Sequence, residues 1–580
     1  MPKLFNRQNH TIMTELELLS EIYRGETHAD PSTVAPVVTS TPTGAPAGFP
    51  PNIPYATEKF LNWAWDINLP AITTATPRNE DDAVQLVNAA AANGYKVRVK
   101  GKGHNWSPLL IRNGADVSKT IFINTVNLSA AQFNANGGTP LATFGTGITV
   151  DAATLFLEQQ NNVNPGGAPG YTFVNMTGPG ALTLGGALAI GAHGTSVDAP
   201  GADTKGLGGC LSNLVVSFRA IVSDPASGKY VVKTFSRTDP DAAAFLVHLG
   251  RAFITQVTMR VVLNYYLQVS NVYPRRKVLF QAPAANLDPN AIQSLVNKFG
   301  RVEVIWFPGT FYPWVKTWQQ FETPPGPLVP GPYNYRFANT ITDPDNVVIR
   351  KVLSDAPGLT PLFQFVALST ARDAKNGSEF TKLNGTSRNV LHYVKDTTMR
   401  VTSFGYAIQI NRNQVQQTAY DFFNKFHSLN ESYQAKLKYP INSAVEMRYT
   451  TLDKVTNLGV DPTQAQAPLL SASALCDNTR TDLDTVFWLD ILTIPGTKTC
   501  NDFFVELEAW VQSQWGSVIR PEWSKGWAYT ANGPYTNDAL IKNQVVGTYY
   551  KNTFATAKAT LAKYDTANVY TNDFLDKLFG

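Results

Sequence analysis

Glycine is concentrated in two places along this chain, and those places limit what it can fold into. Gly101-Lys-Gly-His-Asn-Trp-Ser107 directly follows Lys96-Val-Arg-Val-Lys100, whose polar–apolar alternation reads as a strand. The second and denser run is Gly178-Pro-Gly-Ala-Leu-Thr-Leu-Gly-Gly-Ala-Leu-Ala-Ile-Gly-Ala-His-Gly194. A dinucleotide pyrophosphate needs backbone N–H groups brought close, and a residue without a Cβ permits that approach. Gly185-Gly186 is read as opening a small-residue helix, Ala187 to Ala192, whose N-terminus suits a second phosphate contact. Neither run is G-x-G-x-x-G after the first strand of a βαβ unit, which excludes a Rossmann-type site. Taken singly, each run is equally readable as an ordinary tight turn. His104 lies inside the first loop, among backbone donors, and an unaccompanied histidine there reads equally as a packing or capping residue.

The 580 residues exceed one core and divide into four parts. Residues 1–55 hold a short helix around Glu15–Arg24, then a Pro/Thr/Ala/Gly stretch from Asp30 to Pro54 that reads as a linker or surface strap unable to bury a core. Residues 56–265 read as α plus β. Asn79 caps a helix, Asp82 to Asn93, with Val84, Leu86, Val87 and Ala90 on one face. A second helix spans Val150 to Gln160, and strands lie at Thr120–Asn124, Ala142–Phe144, Leu214–Val222, Tyr230–Thr234 and Phe253–Val262. Residues 266–540 read as a second α+β domain. Its strands are Val302–Phe307, Phe404–Ile410, Val445–Thr450 and Val486–Leu492, and its helices are Ala291–Phe299, Gln416–Leu429 and Cys500–Gln514. Residues 541–580 form a tail with a helix around Thr553–Tyr564.

A formal charge of +4 without clustered Lys and Arg argues against nucleic acid as a partner. Three cysteines exclude a disulfide framework and leave at most one bridge, for which Cys476–Cys500 is the candidate; no zinc-ligand spacing occurs. No run reaches the roughly 18 apolar residues of a membrane span. The first thirty residues show no secretory apolar core and no twin arginine, so the chain is read as not exported or as lacking its leader.

The two glycine runs together resemble the PCMH-type FAD-binding domain of the vanillyl-alcohol oxidase superfamily, and within it the covalent-FAD (class II) cholesterol oxidases. The likeness continues in order through Leu249-Gly-Arg-Ala-Phe-Ile-Thr-Gln-Val-Thr-Met259, Glu303-Val-Ile-Trp-Phe-Pro308, Gly331-Pro-Tyr-Asn-Tyr335, Val445-Glu-Met-Arg448, Arg520-Pro-Glu-Trp-Ser-Lys-Gly-Trp527 and Tyr570-Thr-Asn-Asp-Phe-Leu-Asp-Lys-Leu578. It implies an α+β fold of two domains. The FAD domain would have two α+β subdomains, and a large cap would carry a mixed or antiparallel sheet flanked by helices. It implies FAD joined covalently to His104. The FAD-binding set would be Lys100, Gly101, Lys102, Gly103, Asn105, Trp106 and Ser107, then Pro179, Gly180, Leu184, Gly185, Gly186, Ile190, Gly191, His193 and Gly194, with Phe253, Ile254 and Asn572. Some relatives carry a second, cysteinyl link; Met176 and Thr177 stand nearby here, so a single bond is expected.

Oxidising a secondary alcohol removes a hydroxyl proton and passes a hydride to the flavin, so a base and cationic groups should stand over the ring. Alternation puts Glu446 and Arg448 on one strand face, against Val445, Met447 and Tyr449 on the other. Read from the residues alone this pair is structural; the resemblance puts it at the active site, acting on substrate and as a gate. Glu303, in an apolar strand, is expected to have a raised pKa suited to proton transfer. Glu522 and Lys525 would share a face of a helical turn, with Lys525 near the flavin pyrimidine. The chain departs from the family pattern at Ser403, where a Glu is expected, and at Asp490, where an Asn is expected.

The implied activity is that of a sterol oxidase: the 3β-hydroxyl goes to a ketone with a shift of the ring double bond, and O₂ to hydrogen peroxide. The partners would be sterol and O₂, with transient contact with lipid membranes or micelles, and the protein would act as a monomer. An oxidase or dehydrogenase of a sugar or phenolic alcohol stays open as a second reading, and a non-catalytic lipid-binding flavoprotein as a third.

Overall fold

The computed structural model describes residues 40–134, 138–161, 166–335, 341–372, 382–395 and 397–580. The helix read at Glu15–Arg24 lies outside them.

The first domain carries two five-stranded sheets. One runs Ser40–Thr43, Tyr55–Leu61, Asn68–Ala75, Thr120–Asn124 and Lys96–Lys100, antiparallel through its first three strands and parallel in its last two pairings. Asn79 caps Glu80–Ala92, accepting from the Asp82 amide at 2.9 Å, with three acidic residues in the first turn to complement the helix dipole. Its apolar stripe, Ala83, Leu86, Val87 and Ala90, is fully buried. The proline-rich stretch is more than a linker: Ser40–Thr43 forms the edge strand, and Phe49 and Ile53 are buried in the same core. Proline is compatible with an edge strand because its missing N–H faces away from the ladder. The other sheet, Tyr230–Ser236, Val215–Ser223, Phe253–Arg260, Leu141–Gly145 and Ala131–Asn134, is wholly antiparallel. The helix in the second glycine run spans Leu184–Ala189, so Gly185 and Gly186 lie inside it, earlier than the spacing predicts.

The second domain is built on one eight-stranded antiparallel sheet. Its order is Lys382–Thr386, Tyr266–Val272, Trp314–Phe321, Arg301–Trp306, Val445–Thr451, Thr485–Thr493, Thr402–Ile410 and Ile519–Pro521. Helix Ile292–Phe299 packs on two of its central strands, and Val415–Gln434 packs on that helix and on Cys500–Trp515. No bridge joins Cys476 to Cys500: all three cysteines are free, Cys476 packing with Ala407, Leu452 and Trp488 while Cys500 opens a helix.

The tail returns to the first domain. Val569 accepts from the Val97 amide at 2.8 Å, and the Tyr570 hydroxyl donates to the Ile221 carbonyl at 2.8 Å. No helix among the described residues is long and apolar enough to cross a membrane.

Candidate active site

Gly103 sits at φ 69°, a conformation that favours glycine, and the half-buried His104 follows it. His104 lies against the Trp63 ring at a centroid distance of 4.5 Å and edge-on to Trp106 at 5.7 Å. Burial, with Lys525 and Arg400 nearby, pulls its pKa down to about 3, so the imidazole is neutral. The loop is tied down from both sides. The amides of Trp106 and Ser107 donate to the Ser524 carbonyl at 2.8 and 3.3 Å, and Asn572 donates to the carbonyls of Pro108, Leu109 and Leu110 at 3.0–3.2 Å.

Two adjoining cavities share His104, Leu182 and Ile190 in their walls. The first runs along Gly101–Asn105, Thr183, Gly186 and Gly250. The second runs between the glycine segments and the large sheet, where Glu446, Arg448, Glu522 and Lys525 line it. An elongated ligand with a backbone-cradled end and a flat end fits this pair of spaces. Ser107 Oγ, at the end of the loop, is buried with no hydrogen-bond partner.

Over the second cavity the sheet presents two rows of directly opposed residues. In one row Lys316, Glu303, Arg448 and Trp488 lie on successive strands; in the other, Ile305, Glu446, Asp490 and Gly405. Because side chains alternate along a strand, both rows point to the same face. Arg448 is held by three carboxylates: Nε to Glu303 Oε1 at 2.8 Å, Nη1 to Asp490 Oδ2 at 2.8 Å, and Nη2 to Glu446. Glu303 also accepts from Lys316 Nζ at 2.9 Å and from the Tyr393 hydroxyl at 2.6 Å. The expected rise in its pKa is overturned. Burial pushes Glu303 up, but Lys316 and Arg448 outweigh it and hold the carboxyl below its usual range. Glu522 and Lys525 lie in a turn rather than a helix, closed by Lys525 N–H to the Glu522 carbonyl at 2.9 Å. Lys525 Nζ stands 4.3 Å over the Trp106 ring and 3.5 Å from Asp490. His193 stacks on Trp488 at 3.5 Å with its Nε2 3.7 Å from Glu522.

The residues singled out from the sequence therefore do not all reach one space. Gly101, Lys102, Gly103, His104, Asn105, Gly186 and Ile190 line the first cavity, and Trp106, Pro179, Gly191, His193 and Gly194 the second. Gly185 and Ile254 line a smaller adjoining space with Lys100, which also pairs with Glu58. Leu184 and Phe253 are core residues, Gly180 packs against Asp151 and His392, and Asn572 supports the loop from behind. Glu303 and Asp490 are buried behind Arg448 instead of facing the cavity. Sequence reasoning missed Lys316, Tyr393, Trp488, Trp63 and Arg400. A lysine between tryptophans in Trp314-Val-Lys-Thr-Trp318 is a signal that the strand was there to be found; Tyr393 and Arg400 have none, since tertiary packing alone brings them in.

Residues 71–205 match the FAD binding domain family, and residues 270–580 match the family described as cholesterol oxidase, substrate-binding. The second match spans more than half of the chain. The chain belongs to the cholesterol oxidase family. Its fold matches a solvent-stable cholesterol oxidase at 34% identity and a TM-score of 0.85, over 93% of this chain and 100% of that one. It matches the cholesterol oxidase from B. sterolicum at 32% identity and a TM-score of 0.86, over 94% and 100%. The oxidoreductase GilR, at 13% identity, a TM-score of 0.51 and coverage of 86% and 94%, shares the fold. No curated protein matches the sequence. The cofactor of this cholesterol oxidase family member is FAD.

Proposed function

We propose that the protein oxidises the 3β-hydroxyl of a sterol to the ketone, moves the ring double bond into conjugation and delivers the electrons to O₂ as hydrogen peroxide. The FAD supplies the hydride acceptor when bound. Gly101–Ser107 and Pro179–Gly194 would hold it, with the neutral imidazole of His104 as the point of covalent attachment. One observation carries the reading: Glu446 and Arg448 line the same cavity as His104.

Two carboxylates line the cavity; Glu522 is engaged by His193 and Lys525, and Glu446, on the sheet beside Arg448, takes the hydroxyl proton. Arg448 and Lys525 favour the negative charge that develops as hydride leaves. The Glu446–Arg448 pair, partly exposed, also serves as the gate between the cavity and the outside. Met176, Trp318, Leu391, Val394 and Leu492 give the cavity apolar walls suited to a bulky, weakly polar substrate. Transient contact with a lipid surface belongs to the same reading, since such a substrate resides there.

Anaerobic cholesterol should bleach the flavin, and admitting air should restore its colour and release peroxide. Bleaching by a sugar or a phenolic alcohol but not by sterol would overturn the proposal.

A further inference from the structure

Asp490 is where this chain departs from the asparagine expected of its family, and its surroundings give the departure a consequence. The carboxyl is 1% exposed. Arg448 and Glu446 face it from the neighbouring strand, Gly405 from the strand on its other side, and Glu522 and Lys525 from the turn; His193 stands behind Glu522. A Cβ on Gly405 would come within 2.8 Å of Asp490 Oδ1, so the glycine leaves the carboxyl its room.

With Asp490 ionised, the buried carboxylate would have only a share of two cations, since Arg448 also binds Glu303 and Glu446 and Lys525 also faces Glu522. An uncompensated buried charge is strongly unfavourable. Asp490 Oδ1 and Glu522 Oε2 are both buried with no hydrogen-bond partner, while the same turn's Lys525 Nζ lies 3.5 Å from Asp490 and 3.9 Å from Glu522. Two ionised carboxylates have no hydrogen to share, so a bond between them requires one proton.

We propose that Asp490 carries a proton in the resting enzyme and points it at Glu522 as a hydrogen-bond donor. It thereby acts as a positioning residue that keeps Arg448 and Lys525 from being spent on a fourth carboxylate. Their charge then stays available to the negative charge that forms on the flavin side of the cavity. The titration behaviour agrees: burial and the Glu522 charge push Asp490 up to about 7, whereas for Glu522 Lys525 and His193 outweigh burial and hold it well down. A pair splitting in this way titrates as a unit. The effect on turnover rests on the sterol-oxidase reading; the shared proton does not.

Two measurements on the flavin-loaded protein test this. The infrared spectrum on the acid side of neutrality should show the carbonyl stretch of a protonated carboxylic acid that vanishes in Asp490→Asn. In Glu522→Gln the same band should disappear at lower pH, because the negative neighbour is gone. A band that persists in Asp490→Asn, or whose pH midpoint is unmoved in Glu522→Gln, would overturn the proposal. Then, under anaerobic sterol, the limiting rate of flavin reduction should fall by up to about tenfold per pH unit above the ionisation. That limb should be missing in Asp490→Asn, and its persistence there counts against the proposal. If sterol reduces the flavin of neither protein, the functional reading fails, and the infrared band alone decides where the proton lies.

Discussion

Arg448 is the residue on which the site converges, because its planar guanidinium reaches Glu303, Glu446 and Asp490 through three different nitrogens. A lysine carries the same charge as a point on a flexible stem and cannot span all three. Arg448→Lys should therefore slow flavin reduction by about 10²–10³-fold while leaving the flavin bound, as stopped-flow absorbance will show. Asp490 makes a second prediction at this scale. Its carboxyl is raised from the ordinary value to about 7, so ionising it costs folding stability. The stability owed to the neutral form is present at low pH and is lost as pH rises from the ordinary carboxylate range through 7. Asp490→Asn should flatten the dependence of urea midpoints on pH in that window. An unchanged slope would mean that another group carries it.

Among the elements, the turn bearing Glu522 and Lys525 is fixed by a residue far from it in sequence. Glu508, on helix Cys500–Trp515, accepts from the Tyr406 hydroxyl at 2.7 Å and from the amides of Ala528 and Tyr529 at 2.7 and 2.8 Å. Glu508→Gln replaces one acceptor oxygen by an NH₂ and orphans a buried donor. It should cost about 1–3 kcal/mol, read as a lower denaturation midpoint. Asn572→Ala removes both a helix cap and three contacts to the carbonyls behind His104; about 1 kcal/mol of stability should go with the cap, and flavin loading should slow. Several elements were legible in the sequence. The Lys96–Lys100 and Thr120–Asn124 strands and the Asn79 cap were read from alternation and capping chemistry, which are local. The proline-rich stretch was not. Whether Ser40–Thr43 is a strap or an edge strand depends on a partner, Tyr55–Leu61, that composition does not name.

At the scale of the whole molecule, the glycine-rich segments of the first domain and the sheet of the second hold each other. The indole of Trp106 donates to the Val401 carbonyl at 2.6 Å, and the Ser196 amide donates to the Tyr449 carbonyl at 2.8 Å. A ligand that fills the space between them stabilises both domains together. His104→Ala should release its flavin into the supernatant on acid precipitation while the parent protein keeps it in the pellet. It should also melt several degrees lower, because a dissociable ligand stabilises only in proportion to its occupancy. Equal retention in acid would dispose of the covalent bond.

The two glycine runs, the alternation that puts Glu446 and Arg448 on one face, and the ordered motifs through Asn572 determined the cofactor class, the family and much of the element order, because each depends on neighbours in the chain. Only the tertiary structure decided the state of the charges. Glu303 reads from its strand as a carboxyl that burial should neutralise, yet Lys316 and Arg448, on two flanking strands, hold it ionised. Asp490 reads from the sequence only as a departure from the expected asparagine, yet Glu522 from a distant turn leaves it a proton to share. Coulomb energies in a buried site depend on distances of a few ångströms between groups that are tens to hundreds of residues apart, and folding alone sets those distances.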